Sequence, residues 1–213
     1  MSVAKICVLG SKGVGKSAVS DFLSQNASLT VAQMKAKAEA EAERPAPEYM
    51  PTHGVRICEF ERNVMSTGAN LQVQLWDVSG DLGYETLWPA MALGCHGVIL
   101  VYNPEQKGGG AEAERWADQF ARQLVPNMDD SRITVVALKS SDGPPPSRYE
   151  PLPGPVFQRV RQCTAAIGKG AAFDYKKVLF QELDKLLANV SAWLRDMEAA
   201  EAQQMGLTEG EEM

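Results

Sequence analysis

The chain has 213 residues and a formal net charge of −6 at neutral pH. This length favours one α/β domain with a sizeable core over two domains. The acidic balance, with no clustered stripe of Lys and Arg, argues against a nucleic-acid partner. The four cysteines stand singly in apolar stretches, so we expect core thiols in a reducing compartment, not zinc ligands or disulfides: Cys7, Cys58, Cys95 and Cys163.

The sequence carries no recognisable signal for secretion or lipid attachment. Met1 is followed by a strand-like run instead of a basic and then hydrophobic leader. No apolar stretch approaches the about 20 residues that a membrane-spanning helix needs. Ser2 stands where N-myristoylation requires Gly, and residues 209–213 hold no cysteine for a prenyl group. We therefore expect no direct membrane anchor.

Residues 10–17 form a complete phosphate-binding P-loop pattern, Gly-Ser-Lys-Gly-Val-Gly-Lys-Ser. An apolar strand, Val3–Leu9, precedes it and a helix begins within Ala18–Leu23, which favours a P-loop over a simple glycine turn. In such a loop successive backbone N–H groups face the phosphates, a lysine supplies a positive charge and a hydroxyl binds Mg²⁺. The predicted nucleotide-binding residues are Lys12, Gly13, Val14, Gly15, Lys16 and Ser17, with Ser17 also a metal ligand.

An Ala-, Glu- and Lys-rich stretch, Val31–Arg44, follows the first helix. Its helix propensity is high, but its apolar residues are mostly alanines, so it has little with which to pack on a core. Residues 31–50 are therefore predicted to be an insertion, either a frayed helix or a disordered loop, ended by Pro45, Pro47 and Pro51.

Strand and helix patterns then alternate along the chain. Val55–Glu61 and Leu71–Val78 read as two strands, and the turn residues Thr67–Asn70 between them favour an antiparallel hairpin. The unbroken apolar runs Gly97–Tyr102 and Ile133–Leu138 predict buried strands, with a helix over Ala111–Leu124 between them. The sequence thus predicts an α/β fold: a mostly parallel central sheet, helices on both faces and one antiparallel edge hairpin.

The last third of the chain changes character. The proline-rich segment 140–155 is predicted to be a long surface loop, and Val156–Thr164 a last edge strand. A helix over Asp174–Met197 carries its leucines and valines on one face. We expect residues 1–197 to form the domain and residues 198–213 to form an acidic, disordered tail.

Two further segments carry chemistry that a P-loop needs. Asp77 ends a strand and Gly80 follows three residues later, the spacing of an Asp-x-x-Gly motif that orders the metal and contacts the γ-phosphate. Thr52 is the candidate for a second hydroxyl ligand of Mg²⁺. Taken alone, Asp77 and Thr52 would be ordinary turn residues. With the P-loop upstream, Ser17, Thr52 and Asp77 are predicted to be metal ligands, and Thr52 and Gly80 to contact the nucleotide.

These elements, in this order, resemble those of the Ras-like small GTPases across residues 2–138. Residues 51–61 and 76–81, with 88–90 and 96–98 after them, look more specifically like the Rab-like small GTPase subunit of the intraflagellar transport complex. The resemblance implies a small-GTPase P-loop fold, GTP or GDP with Mg²⁺ as ligands, and coiled-coil subunits of that complex as partners. It also implies a location in the cilium or flagellum and the cytoplasm.

The chain departs from an ordinary small GTPase at three places. Asp81 stands where such enzymes usually have Gln, whose amide orients the attacking water. Lys12 stands where a hydrolytically competent Ras has glycine. The guanine-reading Asn-Lys-x-Asp motif is replaced by residues 139–142, Lys-Ser-Ser-Asp, of which Lys139 could still pack along a purine ring. Residues 164–166 stand near the usual base loop and could supply backbone N–H groups.

Three functions remain open from the sequence. The leading hypothesis is a nucleotide-binding adaptor with slow or no hydrolysis that docks on coiled-coil subunits. The alternatives are an active GTPase switch whose catalytic group comes from a partner, and a P-loop ATPase or nucleotide kinase. The partner face is predicted to combine the strand after Thr52 with Asp81–Trp88, where Tyr84 and Trp88 would serve either as interface anchors or as packing on the sheet.

Overall fold

The computed structural model of the protein describes residues 2–40, 50–139, 152, 154, 157–167 and 171–204. Over these residues the chain forms one six-stranded sheet surrounded by helices. The strands are β1 (Ser2–Leu9), β2 (Val55–Val64), β3 (Ala69–Val78), β4 (Gly97–Tyr102), β5 (Ile133–Leu138) and β6 (Arg161–Ala165). The α-helices are α1 (Lys16–Asn26), α2 (Val31–Ala40), α3 (Trp88–Ala92), α4 (Gly109–Trp116) and α5 (Phe173–Gln204). Short 3-10 helices span Leu82–Leu87 and Asp130–Arg132, and a π-helical turn, Ala117–Arg122, continues α4.

The strand order across the sheet is β2-β3-β1-β4-β5-β6. β2 and β3 pair antiparallel as an edge hairpin, and every other pairing is parallel. The fold class predicted from the sequence is therefore confirmed. Because parallel strands place their carboxyl ends at one edge, the P-loop after β1 and Asp77 near the end of β3 lie side by side.

Both faces of the sheet are covered by helices. Strands β1, β4 and β5 are buried throughout except for the first residues of β1, and their side chains alternate between two apolar clusters. One cluster joins the sheet to α1, α2 and α5, and the other joins it to α3 and α4. Continuous apolar strands are typical of a sheet that is buried on both faces.

The insertion after α1 is better ordered at its start than the sequence predicts. Val31–Ala40 forms a helix, and the Thr30 hydroxyl accepts a hydrogen bond from the backbone N–H of Gln33 while the Gln33 side chain accepts from the backbone N–H of Thr30. This reciprocal arrangement is a capping box. Met34 anchors the helix, because its side chain is buried in the cluster formed by α1 and α5. Residues 41–49 lie outside the described part of the chain.

Several predicted boundaries are wrong by a few residues. The helix after the P-loop begins at Lys16, the hairpin turn lies over residues 65–68, and α4 begins at Gly109 before widening into a π-helical turn. The last strand is shorter than predicted and begins at Arg161, because the chain bends over residues 158–160 while Phe157 and Val160 are buried. Most of the predicted loop 140–155 lies outside the described residues.

The C-terminal helix extends past its predicted end at Met197. It continues to Gln204, so the prediction of a disordered tail is wrong for residues 198–204. Those residues are mainly alanine, glutamate and glutamine, which have high helix propensity and can prolong a helix that its earlier turns already hold on the sheet. Residues 205–213 lie outside the described part. Among the described residues, no helix is both long and apolar enough to cross a bilayer.

Candidate nucleotide site

A cleft of about 610 Å³ opens at the carboxyl edge of the sheet, between the P-loop and the start of β2. Gly13 and Gly15 adopt positive φ angles of 79° and 95°, a conformation that suits glycine, and they turn the chain from β1 into α1. The cleft has the size and position of a ligand site in an open α/β sheet. Its lining residues are Lys12, Gly13, Gly15, Lys16, Ser17, Ala18, Asp21, Met50, Pro51, Thr52, His53, Arg56, Ser79, Gly80, Asp81 and Tyr84.

Lys16 brings a buried positive charge to the floor of this cleft. Its side chain is buried, and its Nζ donates a hydrogen bond to the Ser11 carbonyl at 2.8 Å. Burial lowers the pKa of Lys16 from 10.5 to about 8, against the opposing charge of Asp77. The amine is therefore largely protonated at neutral pH, and a phosphate placed beside it would supply the counter-charge that its environment lacks.

The three predicted metal ligands meet in one hydrogen-bonded chain. Ser17 Oγ lies 2.9 Å from Thr52 Oγ1, and Thr52 Oγ1 donates to Asp77 Oδ2 at 3.2 Å. Asp77 is fully buried, and its Oδ1 has no hydrogen-bond donor among the described residues. Hard oxygen ligands of this kind are those that Mg²⁺ prefers, and a buried carboxylate oxygen without a donor can receive a hydrated cation. The residues present thus fit a magnesium ion.

Gly80 lies directly against the P-loop, where it has no room for a side chain. A Cβ at this position would overlap the Lys12 nitrogen and the Ser11 carbonyl carbon, and would lie 2.6 Å from Lys16 Nζ. Close approach of the two backbones therefore requires glycine here. This is the geometry expected of the predicted glycine that meets the terminal phosphate.

Asp81, next to this glycine, is held by its own segment. Its Oδ1 accepts a hydrogen bond from the Gly83 backbone N–H at 2.9 Å and so caps the 3-10 helix Leu82–Leu87. Its Oδ2 lies 4.0 Å from Lys12 Nζ across the mouth of the cleft, and both side chains are more than half exposed. As an ionised carboxylate Asp81 only accepts hydrogen bonds, so it cannot act as the amide of Gln does.

Two predicted nucleotide-binding residues do not line the cleft. Val14 is 5% exposed and packs in the core cluster, so only its backbone can face a phosphate. Lys139 is half-buried at the carboxyl end of β5, where its backbone N–H donates to the Ala165 carbonyl at 2.9 Å. The neighbouring residues 140–142, which the sequence places at the base site, lie outside the described part of the chain.

Arg56 and Asp21 also belong to the site, and the sequence analysis missed both. Arg56 NH1 donates to Asp21 Oδ1 at 2.7 Å, and Arg56 NH2 lies 3.2 Å from Asp77 Oδ2. Although burial opposes the charged form, hydrogen bonding to Asp21 and the negative charges nearby raise the pKa of the Arg56 guanidinium. The hairpin register, which pairs Arg56 with Asp77, is the signal that could have revealed this contact.

The two aromatic residues proposed as partner anchors have different environments. Trp88 is 2% exposed, and its ring centroid lies 4.4 Å from that of Trp116 and 5.8 Å from that of Phe120. Of the two uses predicted for Trp88, packing is therefore the correct one, and surface anchoring is wrong. Tyr84 is half-exposed at the cleft, where its hydroxyl lies 3.3 Å from His53 Nδ1.

With this geometry in place, comparison with known proteins decides the family. The model of the Ras family matches residues 5–143. The chain belongs to the Ras family. Its P-loop, Thr52 and Asp77 all lie within the matched region, and so does every residue that lines the cleft.

Individual relatives of this Ras-family chain share one theme. The Homo sapiens intraflagellar transport protein 22 homolog is 31% identical over 140 residues, which is 64% of this chain and 65% of the relative. The chain thus matches just under two thirds of that relative's length. The T. brucei IFT22/74/81 GTP-bound crystal structure superposes with a TM-score of 0.66 at 27% identity, covering 92% of this chain and 99% of that one. The T. brucei IFT22 GDP-bound crystal structure gives 0.57 at 25% identity, covering 88% and 98%.

Proposed function

We propose that this Ras-family chain binds GTP or GDP together with Mg²⁺ and serves as a nucleotide-binding adaptor of the intraflagellar transport complex. The observation that carries this proposal is the meeting of Ser17, Thr52 and Asp77 beside the P-loop, at the edge of one cleft. Solved relatives in GTP-bound and GDP-bound forms support guanine nucleotide as the ligand.

In this proposal Ser17 and Thr52 hold the metal by their hydroxyls, and Asp77 holds it through its carboxylate. A bound Mg²⁺ would neutralise charge on the phosphates. Lys16 contributes a second positive charge, and the backbone N–H groups from Lys12 to Gly15 cradle the phosphate oxygens. All of these groups lie on the P-loop, on the segment before β2 or at the end of β3.

Slow hydrolysis is the second part of the proposal, and Asp81 is its basis. Its side chain has no N–H with which to hold a water against a phosphate, and it carries a negative charge beside the phosphate site. The cap on Gly83 and the ion pair with Lys12 also engage both carboxylate oxygens. An enzyme switch with a partner-supplied catalytic group remains the alternative, which a turnover measurement with the partner present would detect.

The guanine base is favoured over adenine by family membership. Lys139 lies beyond the P-loop at the carboxyl end of β5, in position to pack its stem along a purine ring. A P-loop ATPase or nucleotide kinase is the competing function, and the Ras-family match argues against it.

Docking on coiled-coil subunits of the intraflagellar transport complex completes the proposal, with a location in the cilium or flagellum and the cytoplasm. Its support is the names of the relatives, one of which is solved as IFT22/74/81. The structure adds exposed apolar side chains on the elements next to the cleft: Ile57 on β2, and Leu82 and Leu87 on the 3-10 helix.

Titration with a fluorescent guanine nucleotide in excess Mg²⁺ tests nucleotide binding at this cleft. Lys16→Ala is expected to weaken binding about ten- to hundredfold, because it removes a charge-assisted contact to phosphate. Lys185→Ala is the matched control, since Lys185 is an exposed lysine that pairs with Glu182 on α5. Unlabelled GTP should displace the probe, and ATP should not. Equal affinity of Lys16→Ala and the wild type would contradict the proposed site.

A further inference from the structure

We infer that Arg56 is a fixed counter-ion of Asp77 that makes nucleotide retention less dependent on Mg²⁺ than a P-loop site with an unpaired aspartate would be. This inference rests on the proposed nucleotide binding. Arg56 Nε and NH2 lie 3.3 Å and 3.2 Å from Asp77 Oδ2. The guanidinium therefore contacts the same carboxylate that the proposed site uses to hold the metal.

Asp77 needs a counter-charge because it is fully buried. A buried carboxylate without a cation carries a large desolvation penalty, and a phosphate brought beside it adds like-charge repulsion. Where a metal ion is the only cation facing such a carboxylate, removing the metal restores both costs. With Arg56 in place, part of the negative charge of Asp77 stays compensated when the metal leaves.

The position of Arg56 is set by three elements of the fold, none of which requires a nucleotide. Antiparallel pairing of β2 and β3 places Arg56 opposite Asp77. Asp21, one turn beyond Ser17 on α1, accepts from NH1 at 2.7 Å, and the Ser17 carbonyl accepts from NH2 at 3.2 Å. Arg56 thus ties the P-loop helix to the hairpin, and a planar guanidinium suits such a three-sided contact better than an ammonium.

Arg56 leaves the rest of the metal site available. Its contacts to Asp77, like that of the Thr52 hydroxyl, go to Oδ2, whereas Oδ1 has no donor among the described residues. Arg56 and a hydrated Mg²⁺ can therefore share the carboxylate. The consequence is a lower dependence on the metal, with Mg²⁺ still able to bind.

The test is the dissociation rate of a preloaded fluorescent GDP, measured in excess Mg²⁺ and again in EDTA. For the full-length wild type we expect EDTA to speed release by less than about tenfold, and for Arg56→Gln we expect this ratio to rise by about tenfold, the effect of losing one charge-assisted contact. Arg56→Lys should give an intermediate ratio, since it keeps the charge but loses the fork. The ratio is informative because a merely structural role would change release equally in both solutions.

Arg62→Gln is the matched control. Arg62 lies on the same strand and makes a comparable two-pronged contact, with Nε and NH2 each 2.9 Å from an Asp184 oxygen on α5, away from the cleft. Its ratio should equal that of the wild type, and circular dichroism should show both glutamine variants folded. If Arg56→Gln is unfolded, Asp21→Asn, which removes the brace on Arg56, is expected to raise the ratio in the same direction.

The outcomes separate this inference from the proposed function. Wild-type protein that holds GDP in Mg²⁺ but releases it more than about a hundredfold faster in EDTA, with the same ratio for folded Arg56→Gln or Asp21→Asn, would overturn the inference and leave nucleotide binding standing. Wild-type protein that binds no guanine nucleotide even in Mg²⁺ would overturn both.

Discussion

Asp81 is the residue that most distinguishes this site from an ordinary small GTPase, and it yields a kinetic prediction. Intrinsic hydrolysis of GTP should be no faster than in unassisted Ras, on the order of 10⁻⁴ s⁻¹, because no amide holds the attacking water. Asp81→Gln should raise the rate modestly, since it restores an N–H and removes a negative charge beside the phosphate. Single-turnover phosphate release at saturating Mg²⁺ measures both rates.

Glu85→Gln is the control for this exchange. Glu85 lies on the same 3-10 helix, but it is exposed, pairs with Arg115 at 3.5 Å and does not line the cleft. Its variant should hydrolyse GTP at the wild-type rate. Rapid phosphate release by the wild type without a partner would contradict the slow-hydrolysis account.

Trp88 and Tyr84, four residues apart, are predicted to have opposite effects on stability. Trp88→Ala should lower the free energy of unfolding by about 3–5 kcal/mol, because it empties a buried site that is packed by two other aromatic rings. Tyr84→Ala should cost less than about 1 kcal/mol, since Tyr84 is half-exposed and makes one side-chain contact, to His53. Urea denaturation of each variant checks the difference, and equal losses would place Trp88 outside the core.

At the scale of elements, His96 joins β1 to the loop before β4. Its Nδ1 accepts a hydrogen bond from the Lys5 backbone N–H at 3.1 Å, and its ring stacks near Trp193 of α5. Burial, with the charges of Arg132 and Lys5, lowers the pKa of His96 below its ordinary value of 6.5. The folded chain therefore holds this histidine neutral at a pH where the unfolded chain binds a proton.

The sign of the pH effect follows from this difference. Stability is complete above pH 6.5 and falls as the pH drops through 6.5 toward the lowered pKa, because only the unfolded state gains a proton there. We expect the free energy of unfolding to decline between about pH 7.5 and about pH 5.5, and His96→Asn to reduce that decline. His53→Asn is the control, since His53 is the other of the two histidines. An equal pH dependence in His96→Asn and the wild type would contradict this account.

The sequence predicts the sheet well because its strands have clear periods. β1, β4 and β5 are continuous apolar runs, and the hairpin strands alternate, so their existence and pairing follow from the pattern. Ends are harder to predict, because they depend on tertiary support. Met34 holds α2 on the core and the body of α5 supports its last turns, yet neither contact is visible in a local window of sequence.

The site is predictable to the extent that its chemistry is carried by motifs. The P-loop and the Asp-x-x-Gly spacing name Lys16, Ser17, Asp77 and Gly80, and the structure gathers them at one cleft with Thr52. Arg56 belongs to no motif. It reaches Asp77 only because the hairpin register sets the two residues opposite each other, and that register depends on a turn that the sequence places two residues too late.

At the scale of the whole molecule, the proposed partner face adjoins the nucleotide cleft. Leu82 and Leu87 are 44% and 48% exposed on the 3-10 helix that follows Gly80, so a group that orders this helix would also position them. Replacing both by Asp should weaken co-purification with coiled-coil subunits of the transport complex, because it puts charges on apolar contact area. Nucleotide affinity and circular dichroism should stay unchanged.

Leu93→Asp is the matched control for the partner face. Leu93 is 78% exposed, and its carbonyl accepts from Lys5 Nζ near the start of β1, at the edge of the sheet opposite the cleft. It should leave co-purification intact. If the Leu82 and Leu87 variant bound the subunits fully while Leu93→Asp did not, the partner face would have to be moved to that opposite edge.

The central claim is that this molecule is built around a guanine nucleotide, and the nucleotide retained through purification tests it most directly. The protein is purified in Mg²⁺ without added nucleotide and denatured, and the supernatant is separated by chromatography against GDP, GTP, ADP and ATP standards. The account predicts GDP or GTP in the wild type and its loss in Lys16→Ala, because Lys16 faces the phosphates. Adenine nucleotide in the wild type, or equal guanine nucleotide in Lys16→Ala, would contradict it.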